Sequence, residues 1–334
     1  MLRRDNRALS VCLVLVVAAL IAGEAWADVA EWQRLTATGI AAYRERRVGD
    51  SGVALKAALE QAEQQLGPRY VVISLDNLGT LYRRTGRLPE AEVMHRRALT
   101  VAEAVQPPDD ALLETTLKSL AWLYHGIERY SDAYGYYERI MKLLQDRQGP
   151  RSPSAAAYLT VMAELRRLDG KAELAARHSR EALDIVERMP DTADPNVAIV
   201  LSEVVWDLKL LDHAEETKVY SQRLHEILAA GGTRAVNLFQ DIRTSRETLF
   251  GARHPSVAKA LADVALVFEA QGRVADAEAL CQQAVRILED VGPPASLSLV
   301  PLLIQYADLL RLSNQLTAAR VIEARIEALR IGLR

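Results

Sequence analysis

Apolar residues recur every three or four positions along nearly the whole chain, as at Leu117, Leu120, Ala121 and Tyr124, which predicts a succession of amphipathic helices and no strands. A shift of 42 residues lays the small and aromatic positions over one another. In one copy Leu78, Gly79 and Tyr82 lead to Gly86 and then to Ala91, His95 and Ala98. The first small position of this frame falls on Gly79, Ala121, Ala163, Val205, Ala265 and Ala307; the last falls on Ala98, Ile140, Ala182, Leu224, Ala284 and Ile326, with Gly39 and Ala58 in an upstream copy. Each copy reads as a pair of helices, with its inner turn marked by Gly86, Gly170, Gly272 or Asn314, residues that tolerate the left-handed conformation ending a helix. Small residues let two helix axes approach, and Tyr82, Tyr124 or Phe268 fills the space one turn on. No single pair buries both its faces, so the expected fold is all-α, a right-handed α-solenoid of about seven stacked pairs. The units fall at about 28–66, 67–106, 109–149, 151–189, 194–230, 254–292 and 295–334, within one domain over 28–334.

The register breaks once. From Val205 to Ala265 is 60 residues, 18 more than the repeat, which places an insert at 231–252 after Gly231-Gly232. Its Ala235, Leu238, Phe239, Ile242, Leu249 and Phe250 read either as an extra packing helix or as a partner-specific surface, since insertions in repeat arrays often fall on one face. Prolines such as Pro68, Pro153 and Pro195 fall between units, where they cannot continue a preceding helix.

In the spacing of its small positions the chain resembles the tetratricopeptide repeat (TPR) family, whose unit has small residues at its eighth, twentieth and twenty-seventh places, over nearly all of 28–334. A TPR unit has about 34 residues, and the longer spacing lengthens both helices by about a turn. That format resembles the kinesin light chain type of repeat, whose motifs are echoed by His254-Pro255, Asn77 and the runs 86–92 and 272–278. Thr217 and Arg166 stand where that pattern has Ala and an aromatic residue.

The first 27 residues differ. Arg3, Arg4 and Arg7 precede an uncharged run from Ala8 to Gly23, and Ala25-Trp26-Ala27 matches a signal-peptidase site, so a cleaved secretory signal is expected. The alternative is an uncleaved N-terminal anchor facing the periplasm, but the run is shorter than the roughly 20 apolar residues of a spanning helix. Cleavage after Ala27 removes three Arg, one Asp and one Glu, leaving 38 basic and 42 acidic residues. That balance gives no nucleic-acid footprint, which needs a concentrated basic stripe. Cys281 would be the only cysteine left, expected as a buried small hydrophobe.

Candidate chemistry is sparse. The six histidines lack zinc-helix spacing, and no hydrolase elbow, P-loop or dinucleotide fingerprint is present, so no enzyme, metal or cofactor is expected. The TPR resemblance implies instead a concave groove formed by the first helix of each unit. By register its residues include Asn77, Thr80, Arg83, Arg84, Lys118, Trp122, His125, Glu164, Arg167, Glu203, Trp206 and Lys209, and the resemblance implies that Asn77 bonds the backbone of a bound peptide. The expected function is an exported scaffold or adaptor, periplasmic or secreted, holding a protein or peptide partner there. The alternative is a homo-oligomeric, structural part of a cell-envelope complex (secretion, pilus or polysaccharide export).

Overall fold

The computed structural model describes residues 27–188, 195–291 and 293–332. The expected signal, 1–27, lies outside them except for Ala27. Every regular element among the described residues is helical, and they form two compact units with the boundary after Leu123.

The first unit holds α1 (27–44), α2 (Val48–Gln65), α3 (Pro68–Arg84), α4 (Leu88–Glu103) and most of α5 (Asp110–Gly126). Trp32 of α1 packs on Ala58 and Ala62 of α2, while Leu55, Leu78, Leu81, Tyr82, Ala91 and Leu123 form the next layer. Neighbouring repeats are also stitched by polar side chains one repeat apart. Trp32 Nε1 donates to Ser74 Oγ (2.8 Å), Thr116 Oγ1 to Asp76 Oδ2 (2.9 Å), and Arg69 Nη1 to Asp109 Oδ2 (2.9 Å).

Glycine at the first small position of α3 has a specific cause. A Cβ on Gly79 would lie 2.6–2.8 Å from the imidazole of His95, which is buried and held by Asp76 Oδ1 at 2.8 Å. The ring is pinned and cannot retreat, so Gly79→Ala is expected to lower stability by about 1–3 kcal/mol despite alanine's better helix propensity, as read by urea denaturation.

The second unit holds α6 (Tyr130–Gln148), α7 (Pro153–Leu168), α8 (Ala172–Val186), α9 (Pro195–Leu210), α10 (Ala214–Phe250), α11 (Pro255–Ala270), α12 (Val274–Glu289), a short 3₁₀ turn (Ala295–Ser298), α13 (Leu299–Leu312) and α14 (Leu316–Gly332). One continuous core runs from Ala155 through Leu201, Phe239 and Leu261 to Ile326. Cys281 is buried in it, and burial pushes its thiol up to about 12, so it is inert packing. Ser152 Oγ accepts from Ala155 N (3.2 Å) ahead of Pro153, giving α7 a capped, proline-led start.

The seven inner turns share one geometry. Arg46, Gly86, Glu128, Gly170, Asp212, Gly272 and Asn314 all have positive φ, 60–76°. At each, the next amide reaches back to close a Schellman turn, as from Arg87 N to Tyr82 O and from Arg273 N to Phe268 O, both 2.8 Å. The arginine after the turn then lies over the aromatic ring of the preceding helix: Arg87 over Tyr82 (4.2 Å), Arg129 over Tyr124 (4.5 Å) and Arg273 over Phe268 (3.9 Å). The same arginines pair with Glu90, Asp132 and Asp276, so the Gly-Arg signature is a helix-joining device.

The insert is folded into the second unit. Gly232 (φ 51°, ψ −133°) breaks α10, and Gln271 Nε2 donates to the Gly232 carbonyl at 2.9 Å, satisfying the interrupted ladder. Beyond the break Ala235 and Phe239 are buried.

Candidate functional site

In the first unit, α3 carries Asn77, Thr80, Arg83 and Arg84, and α5 carries Lys118 and Trp122; the Asp76–Thr116 bond holds the two helices side by side. Arg84 is exposed and the other five are half-buried. Arg84 lies 5.7 Å over the Tyr43 ring and Lys118 5.9 Å over the Trp122 ring. Burial and the neighbouring Arg84 charge hold the Arg83 guanidinium below the usual arginine range. Asp76, also on α3, is committed to His95 and Thr116. The strip is therefore a cation-rich face with amide and hydroxyl groups and one accessible indole.

In the second unit the register expectation meets a different environment. His125, Glu164, Arg167, Glu203 and Trp206, expected on an open concave face, are all buried. The insert and the start of α11 cover them. Arg246 donates to Glu164 Oε1 (2.8 Å) and to the Ser256 carbonyl (3.0 Å), while Phe250 and His254 pack on the His125 ring at centroid distances of 4.3 and 5.2 Å. Ser256 Oγ sits 3.0 Å from His125 Nε2. Deeper in, Arg167 joins Glu203 Oε2 at 2.6 Å and also bonds Asp207; Lys259 Nζ reaches Glu203 Oε1 (3.2 Å) and Asp263 Oδ1 (2.6 Å) and lies 5.1 Å from the Trp206 ring. Burial works against the Glu203 carboxylate, but Lys259 and Arg167 outweigh it and hold the group down at about 2. Burial pushes Asp207 up to about 6. These charges answer one another across α7, α9 and α11.

Lys209 stands apart. Half-buried, it lines a cavity of about 900 Å³ in the second unit, with walls from α9, α10, α11, α13 and α14. Second helices of the repeats contribute Ser221, Arg320 and Arg330, which a register restricted to first helices does not reach. Asp207 and Arg246 were missed for other reasons: one aligns in the repeat with Leu81, Leu123 and Leu165, all buried apolar residues, and the other belongs to the insert.

Among the described residues no group of three or more His, Cys, Asp or Glu side chains is placed to hold a metal, and no helix is long and apolar enough to cross a membrane.

A tetratricopeptide-repeat model matches residues 35–104 and 76–146, and a second one matches 257–291. No curated protein matches the chain. Among solved structures it is similar to the apo form of RapI (11% identity, 88% of this chain and 99% of that chain, TM-score 0.54) and to aspartyl phosphate phosphatase F from Bacillus subtilis (11% identity, 92% and 72%, TM-score 0.52). It also aligns with kinesin light chain-like TPR repeats from Podosopora anserina (16% identity, 67% and 97%, TM-score 0.39). At such identities the likeness is one of fold.

Proposed function

We propose that this tetratricopeptide-repeat protein is an interaction scaffold that holds an acidic protein segment on the α3–α5 strip of its first unit. The observation that carries the reading is the accessibility of Asn77, Thr80, Arg84, Lys118 and Trp122, all exposed or half-buried, while Glu164, Arg167, Glu203 and Trp206 of α7 and α9 are buried. Arginine and lysine would take the carboxylates of the segment, Asn77 its backbone, and Trp122 an apolar side chain. The test is in-cell crosslinking and affinity capture with the full-length protein beside a Trp122→Ala/Arg84→Ala variant of unchanged helicity. Partners should bind the variant at least tenfold more weakly, with Trp122 supplying about 1–2 kcal/mol of the loss, and parent binding should weaken with salt. Equal capture by both proteins would remove the strip from consideration.

We also propose export, with cleavage after Ala27 releasing the chain to the periplasm or the medium. The intact mass of protein recovered from cells tests it: a chain starting at Asp28 supports cleavage, and a retained Ala8–Gly23 segment supports the anchor instead. A second reading, self-assembly within an envelope complex, rests on Leu312, Leu316, Val321 and Ile331, which are exposed on the last two helices. Sedimentation analysis distinguishes it.

A further inference from the structure

The cavity of the second unit has apolar walls and an uncompensated polar end. Leu224, Leu228, Leu266 and Ile326 supply the apolar surface. Lys209 of α9 and Glu269 of α11 are half-buried, and among the described residues neither has a hydrogen-bond or contact ion-pair partner. Their situation contrasts with that of other charged groups in the lining: Arg311 is held by Asp308 (2.9 Å) and Glu323 (2.5 Å), and Arg330 by Asp212 (2.7 Å). Two further polar atoms of the wall, Ser221 Oγ and Arg330 Nε, are buried without a partner.

The electrostatics agree with the geometry. Burial holds the Lys209 ammonium below the usual lysine range, against the pull of Asp308 and Glu269. Burial likewise holds the Glu269 carboxyl above its ordinary value, against Lys209 and His225. Each group carries a desolvation penalty that its neighbours do not repay, and each would gain from a direct opposite charge. A pure anion would satisfy only Lys209 and repel Glu269; a pure cation would do the reverse.

We propose that this cavity binds a small zwitterion of the α-amino-acid class, its carboxylate on Lys209, its ammonium on Glu269 and its apolar side chain against Leu228 and Leu266. The volume falls within the range of small-ligand sites, and charged groups set beside an apolar wall are what fixes the orientation of such a ligand. The site lies within the second unit and uses none of the strip residues, so the protein would carry a metabolite-responsive element beside a partner-binding one.

Thermal unfolding of the full-length protein with each free apolar amino acid (alanine, valine, leucine, isoleucine, methionine or phenylalanine) at 10 mM tests it. At least one should raise the midpoint by several degrees, and its N-acetyl and carboxamide derivatives, each lacking one charge, should not. Lys209→Met and Glu269→Gln should each weaken binding at least tenfold by calorimetry while keeping the parent's helicity and midpoint without ligand. No shift with any free amino acid would overturn the proposal, as would equal shifts from the blocked derivatives, or binding of trialanine and trileucine alone. A Trp122→Ala variant should respond to amino acids as the parent does, which separates this test from that of the strip.

Discussion

Arg167→Met is expected to lower stability by about 3–5 kcal/mol, the cost of leaving buried charge without its partner. Arg167 is 2% exposed, and its guanidinium spans Glu203 and Asp207, themselves 2% and 0% exposed. Burial disfavours the cation, but Asp207 and Glu203 outweigh that penalty and raise its pKa. Methionine fills much of the volume and supplies no charge. Glu203 would then keep only Lys259 and Arg246 as opposing charges, Asp207 would lose Arg167, and both carboxyls would take up protons. The loss should therefore grow as pH rises, because carboxyls with elevated pKa in the folded state contribute less once solution pH passes their ordinary range. Urea denaturation at pH 5 and pH 8 checks both magnitude and sign. The triple variant Arg167→Met/Glu203→Leu/Asp207→Leu should recover most of the stability, since replacing a whole buried ionic group by apolar side chains is often neutral or better. If Arg167→Met alone proves neutral, solvent must reach the network.

What was legible in the sequence divides along the line between local and non-local physics. Gly86, Gly170, Gly272 and Asn314 announced their turns because the left-handed conformation selects residue type. Arg46, Glu128 and Asp212 occupy the same conformation and gave no such signal; only the spacing locates them. Gly79 was legible as a small position, but the reason, the buried His95 ring, required the partner helix. The groove reading had a similar fate. A register places a side chain on a face of its own helix and says nothing of what returns to cover it. On α3 and α5, Asn77, Arg84 and Trp122 remain accessible, whereas on α7 and α9 the same register positions became Arg167, Glu203 and Trp206 of an internal network. The covering residues, Arg246, Phe250 and His254, lie in or just after the insert, some 80 residues from Glu164. Arg166, standing where the repeat has an aromatic residue, lies 3.4 Å over the Tyr134 ring, a flat cation doing the packing of a ring.

The insert's hold on the second unit should be pH-sensitive through His254. Its Nδ1 accepts from Ser256 N at 3.1 Å as the cap of α11, and its Nε2 donates to the His125 carbonyl at 3.2 Å, so the fold needs the neutral ring. Burial lowers its pKa to about 4, partly offset by the bond to the His125 carbonyl, and Arg246 pushes the same way as burial. A folded-state pKa below the unfolded value of about 6.5 means a contribution fully present above pH 6.5 and lost as pH falls toward 4. The span corresponds to about 3 kcal/mol. His125, held well below its ordinary value by burial, by His254 and by Arg246, adds in the same direction. Asp207, raised to about 6, opposes both over part of that window, so the parent's total profile understates the histidine effect. The difference between parent and His254→Asn isolates it, because asparagine keeps the cap and does not titrate. Between pH 7 and pH 4 the parent should lose about 3 kcal/mol more stability than the variant in urea titrations. Parallel profiles would mean that the ring at 254 stays neutral or solvated throughout. With the predicted divergence, acidification acts at the junction between the insert and the buried face of α7, loosening the contacts that hold Glu164 and His125 in the interior.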